Sequence, residues 1–161
     1  MYPNQRDYTI MGKQTTERSG RLVLVPCPFQ GDITPMLQLG TVLYSKGFSI
    51  TDFHTIYNSP DPNNYPDFSF VPIPDGLSDQ DIRSWDLRGN VMAINENCRE
   101  SIKRFLQQFS TTEDEKEVCI ISDELLFFAE AVADDLKLPS IILRTTNAAT
   151  SLARSALVKL N

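Results

Sequence analysis

Two carboxylates in this chain stand where an apolar run gives way to a helix signal. Asp32 lies within Pro26-Cys27-Pro28-Phe29-Gln30-Gly31-Asp32-Ile33-Thr34-Pro35, directly after the run Leu22 to Val25, and Asp123 closes the run Val118 to Ile121. Carboxylates brought close together raise one another's proton affinity and can share a proton, which is the chemistry of an acid–base pair. Thr145, Thr146 and Asn147 follow the run Ser140 to Leu143, where they can line a ligand pocket or cap the next helix. His54 is the only histidine, so it makes no metal site by itself, and at the end of an apolar run it reads as a hydrogen-bonded structural residue.

These side chains need elements to hold them. Arg21 to Cys27 is short, apolar and β-branched on both faces, the pattern of a central parallel strand. Thr34 as a cap and Pro35 at a first helical position predict a helix from there to Lys46-Gly47, with Met36, Leu39, Gly40 and Leu43 facing the sheet. A second strand is expected over Phe48 to His54. It carries a disturbing Asp52, whose burial costs several kcal/mol unless it is paired or protonated, and which otherwise places this strand near a sheet edge. Prolines at 60, 62, 66, 72 and 74 leave room for a third strand at Phe68 to Val71.

A long helix is expected through Val91, Ile94, Cys98, Ile102, Phe105 and Phe109. The acidic tract Glu113 to Glu117 and the charged outer face of that helix read as solvated surface. Trp85 and Met92 fit either an apolar pocket wall or the core. A fourth strand at Val118 is followed by a helix beginning near Glu124, with the stripe Leu125, Phe128, Ala129, Val132, Ala133 and Leu136. Then come a fifth strand, Ser140 to Leu143, and a helical run to Leu160. The alternation predicts an α/β, doubly wound parallel, Rossmann-like sheet in the order 3-2-1-4-5. Its reversal point brings Asp32 and Asp123 to one crevice, with Thr145 and Thr146 adjoining it.

Fifteen basic and 21 acidic side chains leave a net charge of −6, which argues against nucleic acid as a partner. Cys27, Cys98 and Cys119 are odd in number and sit in apolar runs, as core thiols of a reducing compartment do. The absence of a long apolar window predicts no membrane span and a cytoplasmic location. Residues 1–20 read as a disordered lead-in and 21–161 as one domain.

Phe29-Gln30-Gly31-x-Ile33-x-Pro35, Ser45-Lys46-Gly47-Phe48-Ser49-Ile50-Thr51 leading to Phe53-His54-Thr55, Ile73-Pro74-Asp75-Gly76-Leu77 and Ile121-Ser122-Asp123 resemble plant UDP-sugar-dependent glycosyltransferases. The resemblance runs from about Arg21 to Thr150 and implies the amino-terminal, acceptor-binding domain of a GT-B architecture, incomplete at its carboxyl end. It implies transfer of a sugar, usually glucose, from UDP-sugar to a hydroxyl of a small lipophilic acceptor, with inversion. The family places a histidine base at the position of Asp32 and an aspartate partner at Asp123. Gln30, Gly31, Leu125, Thr145 and Thr146 fall at acceptor-side positions.

Asp32 departs from that pattern, since a carboxyl group in place of an imidazole lowers the reference pKa from about 6.5 to about 3.9. The family's sugar-nucleotide motif belongs to the other half of a GT-B enzyme. The expectation is therefore that the chain alone binds no UDP-sugar cofactor and is inactive. A non-catalytic binding module, or one pairing with a full-length relative, is the alternative. Asp32 as a helix-start carboxylate and Asp123 as a helix cap are the corresponding structural readings.

Overall fold

A computed structural model describes residues 19–78, 80–81, 86–109, 118–147 and 149. Five strands, β1 (Arg21–Val25), β2 (Ser49–Thr55), β3 (Ser69–Ile73), β4 (Val118–Asp123) and β5 (Ser140–Leu143), form one parallel sheet in the order β3-β2-β1-β4-β5. Helices α1 (Gln30–Ser45), α2 (Leu87–Phe109) and α3 (Phe127–Leu136) complete it. The predicted strand order and the reversal between β1 and β4 are both present.

Each sheet face has its own apolar layer. Val23, Val25 and Phe53 pack with Ile94, Cys98, Ile102 and Leu106 of α2 and with Phe128, Ala129 and Val132 of α3. Leu22, Leu24, Ile50 and Ile121 pack on Met36 of α1. Gly40 lets α1 approach the sheet, because a Cβ there would sit 2.8 Å from Leu24 Cδ1 and 3.0 Å from Phe68 Cε2.

Helix α1 corrects one expectation. It starts at Gln30, not after Thr34, and Pro35 lies inside it. The reason is packing: Ile33, Met36, Leu37 and Gly40 form the buried stripe, so the apolar face begins at Ile33, ahead of the proline. Phe29, with no side-chain cap, is the N-cap, and its carbonyl accepts the N–H groups of both Asp32 (2.8 Å) and Ile33 (3.0 Å). Asp32 therefore sits in the first helical turn, where the helix dipole favours an anion.

Other boundaries shift less. β3 runs through Pro72, which an edge strand tolerates because one side of its ladder is free. Helix α3 begins at Phe127, three residues past Glu124, after a turn in which Leu126 N–H bonds the Asp123 carbonyl at 3.0 Å. The Ser19 N–H bonds Gly47 O at 2.9 Å. The expectations for residues 1–18, Trp85, the acidic tract 113–117 and the final helical run lie outside the described residues. No helix among the described residues is long and apolar enough to cross a membrane.

Asp52 is fully buried on β2, which lies between β1 and β3, so proximity to an edge does not explain it. Its Oδ2 stands 3.5 Å from His54 Nδ1, longer than the roughly 2.7–3.2 Å of an ordinary N–H···O bond. His54 thus neighbours Asp52 without a hydrogen bond through Nδ1. Burial pushes the Asp52 carboxyl up, and His54 opposes the rise. Met92 is 46% exposed, which removes the core reading for it. On the charged outer face expected as solvated surface, the partly exposed Arg99 and Lys103 both reach Asp135 on α3, at 3.3 Å and 2.7 Å.

Candidate functional site

Strand register decides which side chains meet. Val25 of β1 lies level with Ser122 of β4, and Asp123 lies level with Leu143 of β5. The chain leaving β1 therefore turns into α1 beside the end of β4, while the chain leaving β5 reaches Thr145 two residues later. Thr145 Oγ1 donates a short hydrogen bond to Asp32 Oδ1. Asp123 Oδ1 accepts the Leu125 N–H at 2.9 Å, an Asx turn and not a helix cap. The Thr145 hydroxyl also lies near Asp123 and favours its ionised form, while the buried Asp123 Oδ2 has no hydrogen-bond partner among the described residues.

The Asp123 carboxyl is pushed up to about 6. Burial is the main cause; the charges of Asp32 and Glu124 add to it, and the Leu125 N–H and Thr145 hydroxyl oppose it. The shift brings this carboxyl toward the range of a neutral-pH acid–base group. Cys27, buried against this pair, has its thiol pushed far up by burial first and then by Asp123 and Asp32, so it is a packing residue and not a nucleophile. Cys98, pushed up to about 12 by burial and Asp75, is equally inert. All three cysteines are free thiols.

A second set of contacts fixes the β5 exit. Thr146 Oγ1 donates to Glu124 Oε1 at 3.2 Å, Arg144 Nε lies 3.4 Å from Glu124 Oε2, and the Glu124 N–H bonds Leu143 O at 3.2 Å. Thr146 therefore faces Glu124, and only Thr145 faces Asp32. Gly31 is exposed, with open space where a Cβ would be. Gln30 points away from the carboxylates: its amide donates to Thr34 Oγ1 at 3.2 Å, and it lines a different cleft. Leu125 packs partly buried on the α2–α3 core, and its carbonyl accepts from Asn95 Nδ2 at 2.9 Å.

Glu124, Arg144 and Asn95 were not singled out from the sequence. Asn95 is 4% exposed and also accepts the Phe128 N–H at 3.0 Å, pinning the start of α3. A polar residue inside the apolar stripe of α2 was the available signal. Among the described residues no group of three or more His, Cys, Asp or Glu is arranged to hold a metal.

No protein-family model matches the chain. It is 45% identical over 133 residues to UDP-glycosyltransferase 76E1 of Solanum lycopersicum, covering 83% of this chain and 28% of that protein. It is 43% identical over 141 residues to UDP-glycosyltransferase 76G1 of Stevia rebaudiana, covering 83% and 31%. The chain belongs to the plant UDP-glycosyltransferases.

Solved plant UDP-glycosyltransferase structures share its fold. Os79 from O. sativa, in complex with U2F and trichothecene, superposes with a TM-score of 0.69 at 21% identity over 82% of this chain and 31% of that one. Phytolacca americana UGT2, complexed with UDP-2fluoro-glucose and pterostilbene, gives 0.66 at 22% identity over 89% and 34%. The chain thus spans about a third of the length of these UDP-glycosyltransferases, and its five-stranded parallel sheet matches theirs within GT-B architecture.

Proposed function

We propose that residues 21–161 form the acceptor-binding side of a UDP-sugar-dependent transfer site in which Asp32 holds the base position and Asp123 its partner position. The observation that carries this reading is the Thr145–Asp32 hydrogen bond beside Asp123, at the sheet's reversal point. The implied acceptor is small and lipophilic and presents a hydroxyl, and the implied donor is UDP-glucose. An acceptor hydroxyl entering the crevice donates to a carboxylate oxygen of Asp32, and Thr145 holds that carboxylate in place.

A histidine at this position would donate its second ring N–H to Asp123 and leave a nitrogen free to take the acceptor proton. An ionised Asp32 has no proton to donate to Asp123, and the two like charges oppose each other. The resulting base is weak. Among the described residues, Asp32 faces a threonine and a second carboxylate, not the cations that a diphosphate takes, so the chain's own contribution lies on the acceptor side. We infer that the 161-residue chain by itself binds acceptor without transferring sugar.

The non-catalytic reading is favoured by the same aspartate: a crevice kept in shape by Thr145 with a weakened base suits a binding module, or one that pairs with a full-length relative. Incubating the chain with UDP-glucose and hydroxylated aromatic acceptors tests both readings. Saturable acceptor binding with no UDP release is expected. Sustained UDP release, lost in Asp32→Ala, would contradict the weak-base assignment.

A further inference from the structure

The chain leaving β5 carries Arg144, Thr145 and Thr146 in succession, and these side chains divide between two carboxylates. Thr145 Oγ1 donates to Asp32. Its neighbours on either side both turn to Glu124: Arg144 Nε lies 3.4 Å from Oε2, and Thr146 Oγ1 donates to Oε1 at 3.2 Å. Side chains alternate in direction along an extended chain, so holding residues 144 and 146 on one side turns residue 145 to the other. Glu124 is thus placed to set where Thr145 points.

The seat of Glu124 suits that role. Asp123 lies level with Leu143, and the Glu124 N–H bonds Leu143 O at 3.2 Å, so the junction between the two chains continues one residue past the end of β4. That backbone bond does not depend on the Glu124 side chain. The Glu124 side chain is 18% exposed and that of Arg144 62%, and an ion pair with this much access to water contributes little stability. Its effect is on direction.

We propose that Glu124 is a positioning residue: by gripping Arg144 and Thr146 it keeps the Thr145 hydroxyl on Asp32, and so fixes the direction of the Asp32 carboxylate in the crevice. An acceptor hydroxyl then meets a carboxylate that is already oriented, with one oxygen committed to Thr145. The benefit to sugar transfer rests on the reading of Asp32 as the base position, whereas the grip on Thr145 does not.

The grip has a consequence that a merely structural role lacks. The Thr145 hydroxyl favours the ionised form of Asp123, so Thr145→Val should raise the Asp123 midpoint in full only while that hydroxyl is held in place. The test is a carboxyl-carbon NMR titration of the 161-residue chain, with and without Thr145→Val, in wild type, Glu124→Ala, Glu124→Gln and Arg144→Ala/Thr146→Val. The last background retains the Glu124 charge that acts on Asp123, and it gives the answer if Glu124→Ala fails to fold. Glu124→Gln is the conservative rescue, because its amide oxygen still accepts from Thr146.

The increment caused by Thr145→Val should fall below about half its wild-type size in Glu124→Ala and in Arg144→Ala/Thr146→Val, and should be mostly restored in Glu124→Gln. Three-bond couplings to the Thr145 methyl group should report one χ1 rotamer in wild type and Glu124→Gln, and an average in the other two backgrounds. An undiminished increment in Arg144→Ala/Thr146→Val, or a single Thr145 rotamer in every background, would overturn the proposal. Neither readout uses sugar transfer, so failure of the Asp32 base assignment shows only in turnover and leaves these titrations as they are.

Discussion

The hydroxyl of Thr145 donates to the carboxylate of Asp32 across a sequence separation of 113 residues, closing the gap between the exit of β5 and the first turn of α1. Asp123 stands beside this bond with one buried carboxylate oxygen unpartnered among the described residues, and its proton affinity reports on both neighbours.

Because the Asp32 charge raises the Asp123 carboxyl and the Thr145 hydroxyl lowers it, two substitutions should move its titration in opposite directions. Asp32→Asn should bring the midpoint down from about 6, yet leave it above the ordinary 3.8, since burial is the larger cause and remains. Thr145→Val should move the midpoint up and cost about 1 kcal/mol of stability. Carboxyl carbon NMR across pH 3–8 reads the first effect, and urea unfolding reads the second.

The same group links stability to pH. The folded Asp123 holds its proton up to about 6 while the unfolded chain releases it near 3.8, so between these values the folded state binds more protons. Its contribution is fully present below pH 3.8 and is lost as pH rises through about 6, amounting to about 3 kcal/mol. Asp52, also raised, acts with the same sign. Unfolding free energies of wild type and Asp123→Asn, measured from pH 3.5 to 7, should diverge toward acid, with the wild type gaining relative to the variant. A difference independent of pH would show that Asp123 titrates normally.

The Asp52–His54 contact at 3.5 Å is buried beneath α1 and has little hydrogen bonding to offset its desolvation. Removing one partner by His54→Leu should cost about 1–3 kcal/mol, because it leaves the buried Asp52 carboxyl without its polar neighbour. The double variant Asp52→Val/His54→Leu should recover most of that loss or exceed wild-type stability. A double-mutant cycle by chemical denaturation gives the coupling, and additive losses would mean that the pair does not interact.

Periodicity made most of this fold legible. The β-branched runs of β1 and β4 and the α3 stripe from Phe128 to Ala133 admit one burial pattern each, and the strand order follows from alternating elements. The start of α1 was hidden because Thr34-Pro35 imitates a helix beginning, whereas the burial of Ile33 sets the actual one. Contacts that span the topology were not readable. The Asp75 carboxylate receives the Leu77 N–H at 3.0 Å and, from 18 residues away, the Tyr57 N–H at 2.9 Å, and Asn95 bonds across to α3. At the crevice, topology brought Asp32, Asp123 and Thr145 to one place. It did not reveal that Thr146 turns to Glu124 or that Gln30 faces another cleft, because local loop bonds set those directions.

The proposed weak-base role of Asp32 is tested most directly in a chimera in which residues 21–147 of this chain replace the matching stretch of UDP-glycosyltransferase 76E1 from Solanum lycopersicum, assayed with an acceptor the parent glycosylates. A positioned general base contributes about 10²–10⁴ in rate, so the chimera with Asp32 should fall at least about 100-fold below its Asp32→His counterpart in kcat/KM. Equal rates for the two chimeras would contradict the assignment of Asp32 to the proton-accepting position.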